Sequence, residues 1–246
     1  MPPPAERLGE LQAVIFDLDG TLIDTVELIR LSFRYATATV LGEAFPDDIS
    51  MANVGQPLLT QFRDMAPKHT DELLRAFREF NREHHDRLAR AYAGTSQTLL
   101  ELARRRIPMA IVTSKGTESA TRGIERFGIA ELITVVVTAD DVRVHKPDPH
   151  PLRVAAERLG VELGYSVYLG DSPHDMQAAI EGDAVAVAAL WGAFHARDVL
   201  APGPAFALES ILELPALLDG DVESFAVRGS KEWPRAAGPS SDRRTL

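Results

Sequence analysis

Two aspartates stand one residue apart in Phe16-Asp17-Leu18-Asp19-Gly20, and two more, Asp171 and Asp175, stand four apart in GDSPHD (170–175). Each pair follows an apolar run, LQAVIF (11–16) for the first and SVYLG (166–170) for the second. Thr113 and Ser114 follow a third run, IPMAIV (107–112), and Lys146 lies on a loop after a fourth, LITVVV (132–137). In open parallel sheets ligands bind beyond the carboxyl ends of the strands, so these polar residues are expected to share one site. Four converging carboxylates repel one another unless a cation neutralises them. An oxygen-only donor set suits a hard ion, magnesium first. A hydroxyl and an ammonium beside that ion make an anion site, most simply for a phosphoryl group. Taken singly, each residue has an ordinary reading. Asp-Gly is turn chemistry, Asp171 could cap a helix, Asp175 could oppose a helix dipole, and Lys146 could be a surface lysine. Their joint order outweighs those readings.

The elements that would position them are legible as alternation. A continuous apolar run ended by a turn signal suits a strand buried on both faces. DAVAVAALWG (183–192) supplies a fifth such strand, and helical patterns at 96–106, 116–128, 149–160 and 172–182 lie between the runs. The last three end at Gly128, Gly160 and Gly182, as helix C-termini often do. Strand and helix in alternation predict an α/β fold with a doubly wound parallel sheet. From Thr25 to about Ala93 no strand candidate appears, only helical periodicity in VELIRLSFRYATATVL, PLLTQFRDMA and TDELLRAFREFNREHHDRLARAY. That is too long for one crossover, so residues 25–93 read as a helical cap domain inserted after the first strand. The core is then 11–24 and 94–218, with 1–10 and 228–246 as flexible termini.

Composition narrows the partners. Among 246 residues, 36 acidic side chains against 26 basic ones give a net charge of −10, which argues against a broad surface for nucleic acid or anionic membrane. No cysteine is present, which removes disulfides, thiolate metal sites and a cysteine nucleophile. No apolar stretch approaches the roughly 20 residues of a membrane helix, and MPPPAERLGE lacks the features of a secretion signal. A cytoplasmic protein, a monomer or weak homodimer, is expected.

FDLDGTLIDT (16–25) resembles the first motif of the haloacid dehalogenase-type superfamily of aspartyl phosphotransferases. VTSK (112–115) is similar to its second motif, HKPDP (145–149) to its third and GDSPHD to its fourth, in order over about residues 11–218. The resemblance implies a role for each residue. Asp17 attacks phosphorus to give an aspartyl-phosphate. Asp19 protonates the leaving oxygen and later deprotonates water. Thr113 holds a phosphoryl oxygen with support from Ser114, and Lys146 neutralises charge between Asp17 and the phosphoryl group. Asp171 coordinates magnesium with Asp17 and the carbonyl of Asp19, while Asp175 binds the ion through water or orients its ligands.

The insertion resembles the first cap type of that superfamily, as in phosphoglycolate phosphatases. NVGQPL (53–58), with Gly55, Gln56 and Pro57, resembles the substrate loop of those enzymes and of related bacterial pyrophosphatases. FNREHHDRL (80–88), VELIRLSF and VVVTADDV resemble the pyrophosphatase branch in particular. Adjacent helical residues point apart, so His84 and His85 do not read as a two-histidine metal site. They read as a solvated face or as one anion contact, by His84. Lys115 and His174 flank core motifs and are candidates to touch a second phosphate. The expected function is a magnesium-dependent phosphohydrolase of a small phosphorylated metabolite, pyrophosphate or 2-phosphoglycolate. A sugar phosphomutase, or an idle binding protein on the same fold, is the alternative. Asp19 disfavours a dehalogenase, whose halide leaving group needs no acid.

Overall fold

The computed structural model describes residues 1–227, so the expected tail at 228–246 lies outside the described residues. The chain enters through a short helix, α1 (Pro4–Leu8), and then β1 (Ala13–Phe16). A loop carrying Asp17 and Asp19 leads to β2 (Ile23–Asp24) and the helices α2 (Val26–Leu41), α3 (Asp47–Ser50), α4 (Leu58–Met65) and α5 (Thr70–Leu88). β3 (Arg90–Ala91) returns antiparallel to β2, with Ile23 opposite Ala91. Then follow α6 (Thr95–Arg104), β4 (Met109–Val112), α7 (Thr117–Arg126), β5 (Val135–Val137), α8 (His150–Leu159) and β6 (Ser166–Gly170). The chain continues through α9 (Pro173–Glu181), β7 (Val185–Ala189), α10 (Ala196–Leu200) and β8 (Phe206–Leu208) to α11 (Leu214–Leu218) and α12 (Val222–Phe225).

Six parallel strands form one sheet in the order β5-β4-β1-β6-β7-β8. β1 is central, and its residues alternate between two apolar layers. Val14 and Phe16 pack with Leu99, Leu102, Ala120 and Ile124 of α6 and α7, while Ile15 packs with Leu152, Ala155, Met176 and Ala179 of α8 and α9. Burial on both faces is why these strands read as unbroken apolar runs. Each such side chain contributes about 1.5–3 kcal/mol relative to exposure. The register brings the strands out at one edge: Phe16 lies opposite both Ile111 and Leu169. The ladder runs one step further, with Asp17 N–H donating to Leu169 O at 2.9 Å and Thr113 N–H to Val137 O at 2.9 Å.

The insertion has an apolar cluster of its own, built on Phe33, Phe62, Leu73 and Phe77. The three rings meet edge to face at centroid distances of 4.9–5.9 Å. α2 and α5, its two long helices, cover the expected periodic segments.

Three local expectations need correction. Residues 1–10 are not a loose lead-in. α1 buries Leu8, and its Arg7 guanidinium donates to the carbonyls of Gly164 and Asp183. Proline at the helix start and Glu6 in its first turn favour that helix. The stretch 25–93 does contain a strand, β3, but two residues are too few to carry a period. β8 was not expected either, and it is only three residues long. Gly182 ends α9 as expected, at φ −86°, and the left-handed position falls on Asp183 at φ +62°, a conformation aspartate tolerates better than most residues.

Candidate active site

The ends of β1, β4 and β6 bring the expected residues together around one buried ammonium. Lys146, 4% exposed, donates from Nζ to Asp17 Oδ1 at 2.9 Å, Asp175 Oδ1 at 2.6 Å and the Tyr168 hydroxyl at 3.0 Å. Asp175 is completely buried and saturated. Its Oδ1 also accepts from Tyr168 OH at 2.8 Å, and its Oδ2 accepts from the Ser172 N–H at 3.0 Å and Oγ at 2.6 Å. Ser172 in turn accepts from Asp175 N–H, so the two form the capping box of α9. Ser172, rather than Asp171, is therefore the helix cap.

Asp171 is confined differently. Its Oδ2 accepts from Ala193 N–H at 2.8 Å, and its Oδ1 lies 3.4 Å from Thr21 Oγ1. Gly20, at φ +86°, lets the chain turn away from Asp17 directly beneath this carboxylate. A Cβ there would stand 2.5 Å from Asp171 Cγ.

Asp17, Asp171 and Asp175 can each offer one oxygen, all within 4.8 Å of one another. Burial, aided by the charges of Asp175 and Asp19, pushes the Asp17 carboxyl up to about 7 against the pull of Lys146. Burial and the charges of Asp17 and Asp175 likewise hold Asp171 well above the usual carboxylate range. At Asp175 burial is outweighed by the charge and hydrogen bond of Lys146 and by the hydroxyls of Ser172 and Tyr168, so its carboxyl lies below that range. One ammonium thus serves three buried carboxylates. Among the described residues no donor reaches Asp17 Oδ2, and only the long Thr21 contact reaches Asp171 Oδ1. Two buried carboxylates with open lone pairs fit a hard divalent cation, and Asp175, fully bonded, fits the orienting role.

Asp19 Oδ1 accepts from Thr25 Oγ1 and Lys115 Nζ, each at 2.6 Å. Lys115 thus reaches the site, but its partner is the second aspartate. Thr113 is buried, and its Oγ1 accepts from Lys115 N–H at 3.2 Å. The insertion loop lies over these strand ends: Ser114 Oγ donates to Gly55 O, and the Gln56 amide meets His174 Nε2 at 2.9 Å. Burial lowers the His174 pKa, which favours the neutral ring. With the amide nitrogen as donor, His174 keeps its proton on Nδ1, which is buried without a partner.

His84 does not join this group. Its ring stacks on Phe80 at 4.0 Å and its Nδ1 meets Phe80 O at 3.1 Å. His85 is buried, with Nδ1 on Asp86 and Nε2 close to the position a Cβ on Gly123 would take. The two rings diverge, as neighbours on a helix must. The residues the sequence did not single out are Tyr168, Ser172, Thr25 and the turn Trp191–Ala193. Ser172-x-x-Asp175 is a readable capping signature, and Tyr168 is a polar-tipped side chain in the middle of an apolar strand. For Trp191–Ala193 no signal existed.

Comparison with known proteins agrees with this geometry. The family model described as haloacid dehalogenase-like hydrolase matches residues 14–189. The pyrophosphatase PpaX of Bacillus velezensis is 34% identical over 202 residues, covering 82% of this chain and 94% of its own. The protein of the same name from Halalkalibacterium halodurans is 34% identical over 211 residues, covering 85% and 96%. Among solved structures, a protein of Haemophilus somnus described as a predicted phosphoglycolate phosphatase superposes with a TM-score of 0.77 at 22% identity, covering 85% of this chain and 98% of its own. At that identity the likeness is one of fold. The aspartates leaving β1 and β6, the buried lysine between them and the match over most of the chain lead to one conclusion: the chain belongs to the haloacid dehalogenase-like hydrolases.

Proposed function

We propose that the protein is a magnesium-dependent phosphohydrolase that cleaves inorganic pyrophosphate through an aspartyl-phosphate on Asp17. The observation that carries this reading is the asymmetry at Asp17, with Oδ1 held by Lys146 and Oδ2 free of donors. A carboxylate fixed through one oxygen presents the other for attack. The Asp17 oxygen bonds to phosphorus as the bond to the leaving phosphate breaks, and Asp19 gives that phosphate its proton. Water then attacks the aspartyl-phosphate, Asp19 takes the water's proton, and Asp17 is regenerated. Thr113 Oγ1 and the backbone amides after β4 hold the transferred phosphoryl oxygens. Lys146 neutralises charge between them and Asp17. Asp17, Asp171 and the Asp19 carbonyl would hold the magnesium ion, with Asp175 orienting them. When bound, the ion supplies charge neutralisation that lets an anionic phosphate approach two carboxylates.

Pyrophosphate is preferred as substrate because the full-length relatives at 34% identity are named pyrophosphatases. The rim also offers charge and amides, from Lys115, Gln56 and His174, rather than an apolar pocket. Phosphoglycolate is the second reading, since its small carboxylate could be met by backbone amides around Gly55. A cytoplasmic site of action, and residues 25–93 acting as a substrate-choosing cap, belong to the same proposal. The deciding assay compares pyrophosphate, phosphoglycolate and hexose phosphates with magnesium. Pyrophosphate is expected to give the highest kcat/KM, with turnover lost in EDTA and restored by magnesium but not to a comparable level by calcium. Turnover that survives exhaustive chelation would overturn the metal reading, and preference for phosphoglycolate would overturn the substrate.

Gln56→Ala is expected to raise KM for pyrophosphate about tenfold, the loss of one charge-assisted hydrogen bond, and to change KM for a small aryl phosphate far less. His84→Ala is expected to change neither, because its ring is committed to Phe80. Steady-state kinetics on both substrates check the pair. Equal effects of Gln56→Ala on the two substrates would show that it does not read the leaving group.

A further inference from the structure

The turn that follows β7 touches two catalytic loops at once. Ala193 N–H donates to Asp171 Oδ2 at 2.8 Å, and Trp191 Nε1 donates to Thr21 O at 3.0 Å. Thr21 is completely buried, and its hydroxyl faces the other oxygen of Asp171. Between the two contacts stands Gly192. A Cβ built on it would lie 2.5 Å from Asp171 Cγ, the same approach as at Gly20 on the opposite loop. The two glycines differ in what requires them. Gly20 sits at φ +86°, where any L side chain is strained, whereas Gly192 is not in the left-handed region. At 192 the demand for glycine is therefore a steric one, and the three atoms nearest a Cβ there all belong to the Asp171 side chain. Trp191 is held in turn against Tyr92, ring edge to face at 6.4 Å, where the chain returns from the insertion. Asp171 is thus held between two loops, with the Ala193 N–H fixing one oxygen and only the long Thr21 contact on the other.

We propose that Trp191–Ala193 is a positioning element that fixes the Asp171 carboxylate for divalent-cation binding, an inference that rests on the magnesium reading of the site. A carboxylate that turns freely presents its oxygens to a cation only part of the time, and an octahedral ion tolerates little misplacement. Gly192→Ala forces the Asp171 side chain aside. Trp191→Phe keeps the ring against Tyr92 but removes the N–H that holds Thr21.

The test is magnesium binding itself, measured by calorimetric titration of the full chain and by thermal unfolding in EDTA and in magnesium. Wild type is expected to bind magnesium and to unfold at a higher temperature with it. Gly192→Ala is expected to weaken that binding tenfold or more and Trp191→Phe severalfold, beyond any change in the EDTA melting temperature. If Gly192→Ala does not fold, Trp191→Phe alone decides. Variants that bind magnesium like wild type and only melt earlier in EDTA would overturn the inference and leave the metal reading standing. A wild type with no magnesium response would overturn both.

Discussion

Asp17→Asn is expected to lower turnover by about four orders of magnitude or more, while making the metal-free protein more stable above neutral pH. The kinetic loss follows from removing the attacking charge with the shape kept. The stability gain follows from the burial that pushes this carboxyl up to about 7 from an ordinary 3.8. A carboxyl raised on folding contributes stability that is complete below about pH 4 and is lost as pH rises through 7. Ionising it inside the folded protein therefore costs on the order of a few kcal/mol at pH 8. Asp171, also raised, acts in the same direction. Asparagine keeps an acceptor for Lys146 and carries no charge. In EDTA the variant should melt above wild type at pH 8, and the gap should narrow toward pH 5. Activity within tenfold of wild type would sink the aspartyl-phosphate mechanism. A variant that melts lower at pH 8 would sink the crowding argument.

Lys146→Met should do the opposite to stability. It leaves Asp175 buried with Oδ1 still aimed at a missing ammonium, and it leaves Asp17 without its only cationic partner among the described residues. Breaking a buried pair from one side costs about 3–5 kcal/mol, because the remaining charge is neither hydrated nor compensated. Lys146 is raised and Asp175 lowered in the folded protein, so their mutual stabilisation is present from about pH 4 to above pH 10. Urea unfolding at pH 8 should show the full deficit in the variant. Near pH 5 the deficit should shrink, because an unpaired buried Asp175 takes up a proton. A midpoint within 1 kcal/mol of wild type at pH 8 would mean that the ammonium is not what holds these carboxylates. Turnover should be lost in either case.

The fold was legible because a parallel sheet writes itself plainly. β1 is apolar at every position and stops at Asp17, and β4 and β6 repeat the pattern, so the strand ends mark the site without any knowledge of contacts. α2 and α5 carry long 3.6-residue periods and are found where the period places them. What escaped detection is short or set by tertiary contact. β8 and the β2–β3 pair hold too few residues for any period, and α1 has only five, held in place by Arg7 on two carbonyls far along the chain. In the site, residue type exposed Asp17, Asp171 and Lys146, since few other roles use them together. It could not tell that Lys115 pairs with Asp19, which depends on a side-chain direction rather than on spacing. His84, read as a solvated face or an anion contact, stacks on Phe80 instead, which again depends on side-chain direction.

The central place of β1 has a consequence for how the chain is made. Its partners are the strands that begin at Met109 and Ser166, so it leaves the ribosome well ahead of both. At about 5–20 residues per second, Ser166 follows roughly 8–30 s after Ala13. Until β4 emerges AVIF has no sheet to enter and both of its edges are open to pairing with another nascent chain, and the edge that takes β6 stays open until Ser166 follows. The helices of residues 26–88 emerge directly behind it and can gather their own aromatic cluster before any sheet partner exists. Substitutions that slow helix formation there should therefore appear first as lost soluble yield during synthesis, ahead of any change in the finished enzyme.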